Sequence, residues 1–389
     1  MMPVIFDDQN KNLAMTDNLV IASSADWHFG KLDPEYQYNI IKNQIINPLY
    51  NIRLDVFAIL GDTFDHKVMA NSKAVMYAGL IIKECVQLCK TKGATFVILA
   101  GTLEHDADQL KLFYPYLSDK DLDIRIVEKL KFEYIKGCKV LCIPEEYNKS
   151  EEYYNEFLFK QGLYDFALMH GMYKGTIYQE EIVTEDNVNP RNKLFTMDDF
   201  NNCRGFILSG HVHVPGCFNR HFYYCGNPYT WQFGEECDKG FFITLYNKFT
   251  HQYYNHFQVI VSDKYETVNI DDMLDLDPKD VISFIESLLV DIAYVRIECL
   301  NASTEAQIAN LNIIKTYFST NTKIKFKNES IKKKKILQSI KEENKNLEQF
   351  MFVLDPNMSY LEKLAMYINI KEGKEYTTAQ EIEQLMLET

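Results

Sequence analysis

"FVILAGTLEHDADQL", residues 96–110, is an apolar run that stops at Gly101 and then presents Glu104, His105 and Asp106 within five positions. Apolar runs of this kind are the mark of strands buried on both faces, and a glycine followed by ionisable side chains puts chemistry at the rim of their sheet. The same pattern recurs on either side. "NLVIASSAD" (18–26) breaks into Asp26, and "DVFAILGD" (55–62) ends in Gly-Asp. Further runs follow at "KVLCIPEE" (139–146), "YDFALMHG" (164–171), "RGFILSGHVH" (204–213), "FYYCGN" (222–227) and "GFFITLYN" (240–247).

Between the early runs lie helical patterns. "EYQYNIIKNQIINPLY" (35–50) repeats its apolar residues at helical spacing, and "SKAVMYAGLIIKECVQLCKTKG" (72–93) reads as a long helix closed by Gly93. Strand and helix alternate early, then short strands dominate. The expected fold class is therefore α/β, with sheets covered by helices. From residue 264 the texture changes. A helix from about Pro278 to Val290, a strand through Tyr294 to Cys299, a helix in "TEAQIANLNIIKTYFST" and a lysine-rich strand "NTKIKFKN" make a small α+β unit. From Ser330 on the chain reads as polar helices with apolar stripes. This layout divides the chain into a main domain (1–263), a capping domain (264–329) and a C-terminal helical segment (330–389).

Composition bounds the function classes. At 389 residues, 47% hydrophobic and 25% charged, the chain is an ordinary globular one. No apolar stretch approaches the roughly 18 residues that a membrane span needs, and "MMPVIFDDQNKN" carries no secretory apolar run. The nine cysteines form no C-x-x-C pair, so free thiols in a reducing cytoplasm are expected. A net charge of −14 argues against coating DNA through a broad basic surface. It is compatible with meeting a phosphodiester through bound cations, which carboxylates hold well.

The strand ends together form a constellation: Asp26 and His28; Asp62, Asp65 and His66; Glu104, His105 and Asp106; His170; His211 and His213. D-x-H and H-x-H spacing puts both side chains on one face of an extended segment, where they can grip one metal ion. A lone strand-terminal Asp is most often a helix cap, and a lone buried His a hydrogen-bonded core residue. Those readings would have to hold at five successive strand ends, so a dinuclear metal site is the better expectation.

The ordered set D-x-H, G-D, H-D after a glycine, H-G and G-H-x-H resembles the calcineurin-like metallophosphoesterases. Within them it is most similar to the SbcD-type nuclease subunits of bacteria and phages, relatives of the eukaryotic double-strand-break repair nuclease. "SADWHFGK" resembles that group's opening motif, "GDTFDH" its G-D-x-F-D, and "YYCGNPYTWQFGEECDKGFFI" its segment with F-G-E and K-G. The metal motifs span residues 26 to 213 and the resemblance runs to about 245; for the later domains it rests on size and layout. It implies a four-layer αββα sandwich and two divalent ions, Mn or Mg. Asp26, His28 and His213 would hold one ion, His170 and His211 the other, with Asp62 bridging. His105 would act at the leaving oxygen, Asp106 would orient it or cap the next helix, and His66 would touch the substrate phosphate. Related enzymes with a histidine in that loop carry it at the position of Asp65.

The quoted opening stretch departs from the family's G-N-H-D. Two more residues separate Gly101 from His105, and no Asn precedes the histidine. Either Glu104 takes the place of the Asn as a ligand, the expectation adopted here, or Thr102 lies nearer the metal and Glu104 faces solvent.

The resemblance further implies a DNA exonuclease and endonuclease subunit of a recombination and repair complex. Such subunits dimerise through the nuclease domain, and their C-terminal helices grip the coiled coil of an SbcC-type ATPase. "ILQSIKEENKNLEQFMFVL" and "YLEKLAMYI" have the apolar stripes for that contact, beside the lysine run Lys332–Lys335. Competing readings are a metallophosphatase acting on a non-DNA phosphoester, and a scaffold that keeps the fold with weakened catalysis. Trp27, Trp231 and the tyrosines at 223, 224 and 229 are expected mostly in the core.

Overall fold

The computed structural model describes residues 18–178, 181–184, 189–219, 221–235, 237–290, 292–299, 301–327 and 378. The early strands are β1 (Asn18–Ser24), β2 (Val56–Leu60), β3 (Thr95–Leu99), β4 (Asp123–Val127), β5 (Lys131–Ile135), β6 (Cys138–Ile143) and β7 (Phe166–His170). After them come β8 (Ile177–Tyr178), β9 (Glu181–Ile182), β10 (Ile207–Gly210), β11 (Gly216–Cys217), β12 (Phe222–Tyr224), β13 (Lys239–Asn247) and β14 (Tyr253–Ile260). They build two six-stranded mixed sheets, ordered β14-β13-β1-β2-β3-β4 and β11-β12-β10-β7-β6-β5, and a small β8-β9 ribbon. In the first sheet β1 to β4 run parallel and β13 and β14 antiparallel. In the second, β6, β7, β10 and β12 run parallel, with antiparallel β5 and β11 at the edges.

The continuous apolar runs are explained by a period of two, because both faces of each central strand are covered. Leu19 and Ile21 of β1, Val56, Ala58 and Leu60 of β2, and Val97 and Leu99 of β3 enter one core with Val140, Cys142, Phe166 and Leu168 of the second sheet. The alternate residues Val20, Ala22, Phe57, Ile59, Phe96 and Ile98 face a second core that includes Ile40, Ile81, Ile82 and Cys85. On the far face of the second sheet, Leu141, Ile143, Ala167 and Met169 meet Tyr154 and Leu158. The result is an α/β sandwich, two sheets packed face to face with helices outside. Each fully buried Ile, Leu or Phe adds about 1.5–3 kcal/mol of burial.

The helices follow their sequence signals. Asp33 caps α1 (Pro34–Ile41), accepting from the N–H groups of Glu35 and Tyr36. The helix expected over 35–50 has continuous helical backbone from Pro34 to Leu49, although Pro48 has no N–H for the ladder. A π turn at Lys42–Ile46 leads into the single turn α2 (Asn47–Leu49). The long helix α3 (Lys73–Lys92) begins at the Ser72 cap and ends at Gly93, which takes the left-handed φ of +62°. Strands β4, β5 and β14 lie where no apolar run marks them. Most of their residues are only partly buried, as edge positions allow.

Further along come β15 (Tyr265–Asn269), a helix at Pro278–Leu288, β16 (Tyr294–Glu298), a helix at Glu305–Tyr317 and β17 (Ile324–Lys327), with sheet order β15-β16-β17. By compactness the chain forms two units. One takes the described residues up to Thr267 with Phe284–Arg296, and the other Val268–Ser283 with the described residues from Ile297 on. The helical segment expected at 330–389 lies outside the described residues, Thr378 apart. Among the described residues no helix is long and apolar enough to cross a membrane.

Candidate metal centre

In the first unit, the parallel strands of both sheets release their carboxyl ends at one place, where α/β sheets bind ligands. Asp26 and His28 follow β1, Asp62 follows β2, His170 is the last residue of β7, and His211 and His213 follow β10. Backbone bonds tie the first loops together: Asp26 N–H donates to the Gly61 carbonyl at 3.1 Å and His28 N–H to that of Asp62 at 2.9 Å. Asp26, His28, Asp62 and His211 all hold left-handed φ, between +45° and +88°. Such conformations cost about 1–3 kcal/mol each and gather where function demands them. Gly61, at φ +84°, leaves no room for a side chain, since a Cβ there would sit 2.2 Å from His170 Nδ1.

Three groups bring possible ligand atoms within 4.8 Å of one another: Asp26, His28 and His213; His28, Asp62 and His105; and Asp62, His170 and His211. Asp62 is the centre. Its Oδ2 lies 3.7 Å from His28 Nε2, 3.4 Å from His170 Nε2 and 2.9 Å from His105 Nδ1. His170 Nδ1–H donates to the Leu60 carbonyl at 2.7 Å, so in the neutral ring the lone pair is on Nε2, which faces Asp62 and His211 Nδ1. His211 N–H donates to both Asp26 oxygens.

These residues fit a cation. Both ring nitrogens of His28 and Nδ1 of His105 are buried without a well-aligned hydrogen bond among the described residues. Leaving such atoms unsatisfied costs about 1–3 kcal/mol each. Imidazole nitrogens and carboxylate oxygens are the donor set that divalent transition ions take, and the carboxylates also suit Mg.

The loop after β3 places its residues unlike the expectation. Leu103–Asp106 forms one helical turn, α4, in which adjacent side chains point about 100° apart. Glu104 is turned outward and exposed, where the Tyr147 hydroxyl donates to it at 3.3 Å. It is in none of the three groups, and Thr102 is the residue near the centre instead. Its N–H donates to Asp62 Oδ1 at 2.6 Å, and its hydroxyl lies 3.1 Å from Asp62 Oδ2. His105 turns inward, with its side chain 27% exposed and therefore open to a substrate. Among the described residues no hydrogen bond joins Asp106 to His105 or to a helix N-terminus. The buried Asp106 carboxylate accepts from Phe64 and Gly101 N–H, pinning two loops together. His66 is exposed, outside the groups, with Nδ1 3.1 Å from Asp65.

Sequence reasoning gave no role to three supporting carboxylates, Glu145, Glu235 and Asp65, although Asp65 stood in the strand-end set. Glu145, two residues beyond β6 and in none of the three groups, has a buried side chain with Oε2 3.0 Å from His211 Nδ1 and 3.6 Å from His170 Nε2. The strand-end rule pointed to this spot, but "PEE" offers two adjacent acids. Glu146 turns the other way, to Leu130 N–H and the Tyr153 hydroxyl. Glu235 Oε1 lies 3.3 Å from His213 Nδ1 and is itself held by Gln232, Asn227 and the buried Lys239. That is the structural content of "FGEECDKG". Asp65 Oδ1 lies 3.5 Å from His28 Nδ1. Trp231 packs its ring edge-on against His28 and His213, at 4.6 and 4.7 Å between centroids, while Trp27, Tyr224 and Tyr229 are buried.

The electrostatics are those of a crowded site. Burial acts to raise Asp62, but the His170, His105 and His28 rings outweigh it and hold the carboxyl well below the usual range. Burial likewise opposes the charge on Glu145, and His211 overcomes it. Burial dominates at His28 and lowers it, which favours the neutral ring. At His105 and His170 burial pulls down but Asp62 prevails, taking His170 up to about 10. Buried carboxylates here draw protons onto imidazoles, and a cation would compete for those places. Burial and the Asp62 charge push Asp106 up to about 7.

No family model matches this chain, and no curated protein matches it. Among solved structures, one chain 11% identical aligns over 62% of this chain and 99% of its own length with a TM-score of 0.37. A likeness that distant carries no argument.

Proposed function

We propose that the chain is a two-metal phosphodiesterase of the calcineurin-like metallophosphoesterase type, with the four-layer αββα arrangement of that family. The observation that carries this reading is the position of Asp62, shared by two His-containing ligand groups and adjoined by the group of Asp26, His28 and His213. Asp62 would then serve two cation positions, with His170 and His211 holding one and His28, His213 and Asp26 the other. Divalent ions, Mn or Mg, supply there the positive charge that a phosphodiester needs and a more acidic water. His105, raised by Asp62 and open to solvent, holds a proton to give to the leaving oxygen.

The resemblance supports DNA as the substrate and a cytoplasmic repair and recombination complex, bacterial or phage, as the setting. A homodimer through this domain and an SbcC-type ATPase held by residues 330–389 belong to the same reading. The net charge of −14 agrees with a subunit that leaves most DNA grip to a partner and to its cations.

The test is degradation of end-labelled duplex and single-stranded DNA in Mn, beside Asp62→Asn. Cleavage that vanishes in the variant is expected. Inactivity on DNA with Asp62-dependent hydrolysis of another phosphodiester would move the substrate class away from DNA.

A further inference from the structure

The second cation position lacks a ligand on the expectation that Glu104 supplies one, because Glu104 is exposed and engaged by Tyr147. A different strand brings a carboxylate to the same place. Glu145 has a side chain only 4% exposed, and its two oxygens have separate environments. Oε1 accepts from the Asn192 amide at 2.6 Å. Oε2 points at the imidazoles, 3.0 Å from His211 Nδ1 and 3.6 Å from His170 Nε2, and those two nitrogens are 3.2 Å apart. The Thr102 hydroxyl sits between the two carboxylates, 3.1 Å from Asp62 Oδ2 and 3.2 Å from Glu145 Oε2.

We infer that Glu145 is a one-oxygen metal ligand that completes the second cation position with Asp62, His170 and His211. The inference rests on the two-metal reading above and adds a residue to it. One oxygen is fixed by the Asn192 amide and the other, steadied by the Thr102 hydroxyl, is aimed at the two imidazoles, which is how supporting contacts orient a ligating carboxylate. Each cation position then has two imidazoles and two carboxylate oxygens, Asp62 being shared. Three buried carboxylates, Asp26, Asp62 and Glu145, offset most of the charge of two divalent ions, which an amide in place of Glu145 would not do. Thr102 is a positioning residue, its hydroxyl setting the distance between Asp62 and Glu145.

The alternative is that Glu145 only accepts a hydrogen bond from His211, a role that glutamine also fills. Calorimetric titration with MnCl2 separates the two, using the full chain and the variants Glu145→Gln, Glu145→Asp and Glu104→Gln. Circular dichroism on each variant checks folding. The expected result is two ions per chain in the parent and in Glu104→Gln. In Glu145→Gln one ion keeps the parent affinity and the other binds at least about tenfold more weakly. Glu145→Asp, which draws the oxygen back by one methylene, weakens the same ion and serves if Glu145→Gln does not fold. Two ions bound at parent affinity in the Glu145 variants would overturn the inference and leave the two-metal reading standing. A parent chain that binds no Mn would overturn both.

Discussion

The backbone N–H of His211 donates to both carboxylate oxygens of Asp26, at 2.9 and 3.1 Å, and so fastens the end of β10 in one sheet to the end of β1 in the other. Both residues hold left-handed φ, +88° and +53°. Asp26 is fully buried. One carboxylate therefore offers a cation ligand and joins the two sheets at the rim where the site lies.

Replacing Asp26 by Asn keeps its shape and its tolerance of left-handed φ but removes the charge the N–H meets. A buried charge-assisted bond lost in this way costs about 1–3 kcal/mol. Asp26→Asn without added metal is expected to unfold at a lower urea midpoint with an unchanged slope. An unaltered midpoint would mean that the two sheet ends are held by other contacts.

Gly61→Ala should be worse. A Cβ would sit 2.2 Å from His170 Nδ1 and 2.8 Å from the Gly101 Cα, on a backbone at φ +84°. Overpacking and left-handed strain each cost about 1–3 kcal/mol, so a loss of about 2–6 kcal/mol is expected in thermal or urea unfolding. Gly93→Ala is the control: its Cβ meets nothing, and the strain at φ +62° alone, about 1 kcal/mol, remains.

The strand ends were legible because each central strand is covered on both faces. A run of apolar residues has to stop where a polar group is needed, and Asp26, Asp62, His170 and His211 stand at such stops. What the residues alone could not show is rotation. One helical turn at Leu103–Asp106 swings Glu104 to solvent and His105 to Asp62, and a shift of one position would have exchanged them. Glu145 and Glu146 are neighbours with opposite directions for the same reason, since side chains alternate in extended chain. The π turn over 42–46 went unread, because the apolar spacing over 35–50 fits a helix whether or not one turn is widened.

The thiols provide a test of the core. Burial pushes the Cys142 and Cys225 thiols up to about 12 and raises Cys85 well above its usual value, whereas Cys217 is exposed. A thiol at about 12 has on the order of one part in ten thousand thiolate at pH 8, and the thiolate is the nucleophile. Under native conditions a disulfide reagent is expected to label Cys217 quickly and Cys85, Cys142 and Cys225 only on unfolding. Rapid native labelling of the last three would contradict the described core.

On the surface, the Lys42 ammonium 2.7 Å from Glu84 holds that carboxyl below its usual range. A lowered carboxylate stabilises above its unfolded pKa, about 4.3, and loses that contribution as pH falls through its folded value. Both side chains are about a third exposed, so screening limits the effect to about 1 kcal/mol or less. Lys42→Met is expected to lower stability slightly at pH 7 and to leave it unchanged near pH 2. An equal loss at both would assign the effect to packing of the lysine stem on Tyr38.

The central claim is that Asp62 joins two cation positions into one phosphodiesterase site. Hydrolysis of bis(p-nitrophenyl) phosphate, measured with and without Mn for the parent chain and for Asp62→Asn, tests it most directly. The account predicts turnover that requires the metal and falls at least about a hundredfold in the variant, as loss of a charge-stabilising group does. Equal Mn-dependent turnover in Asp62→Asn, or none in a parent chain that binds two ions, would contradict it.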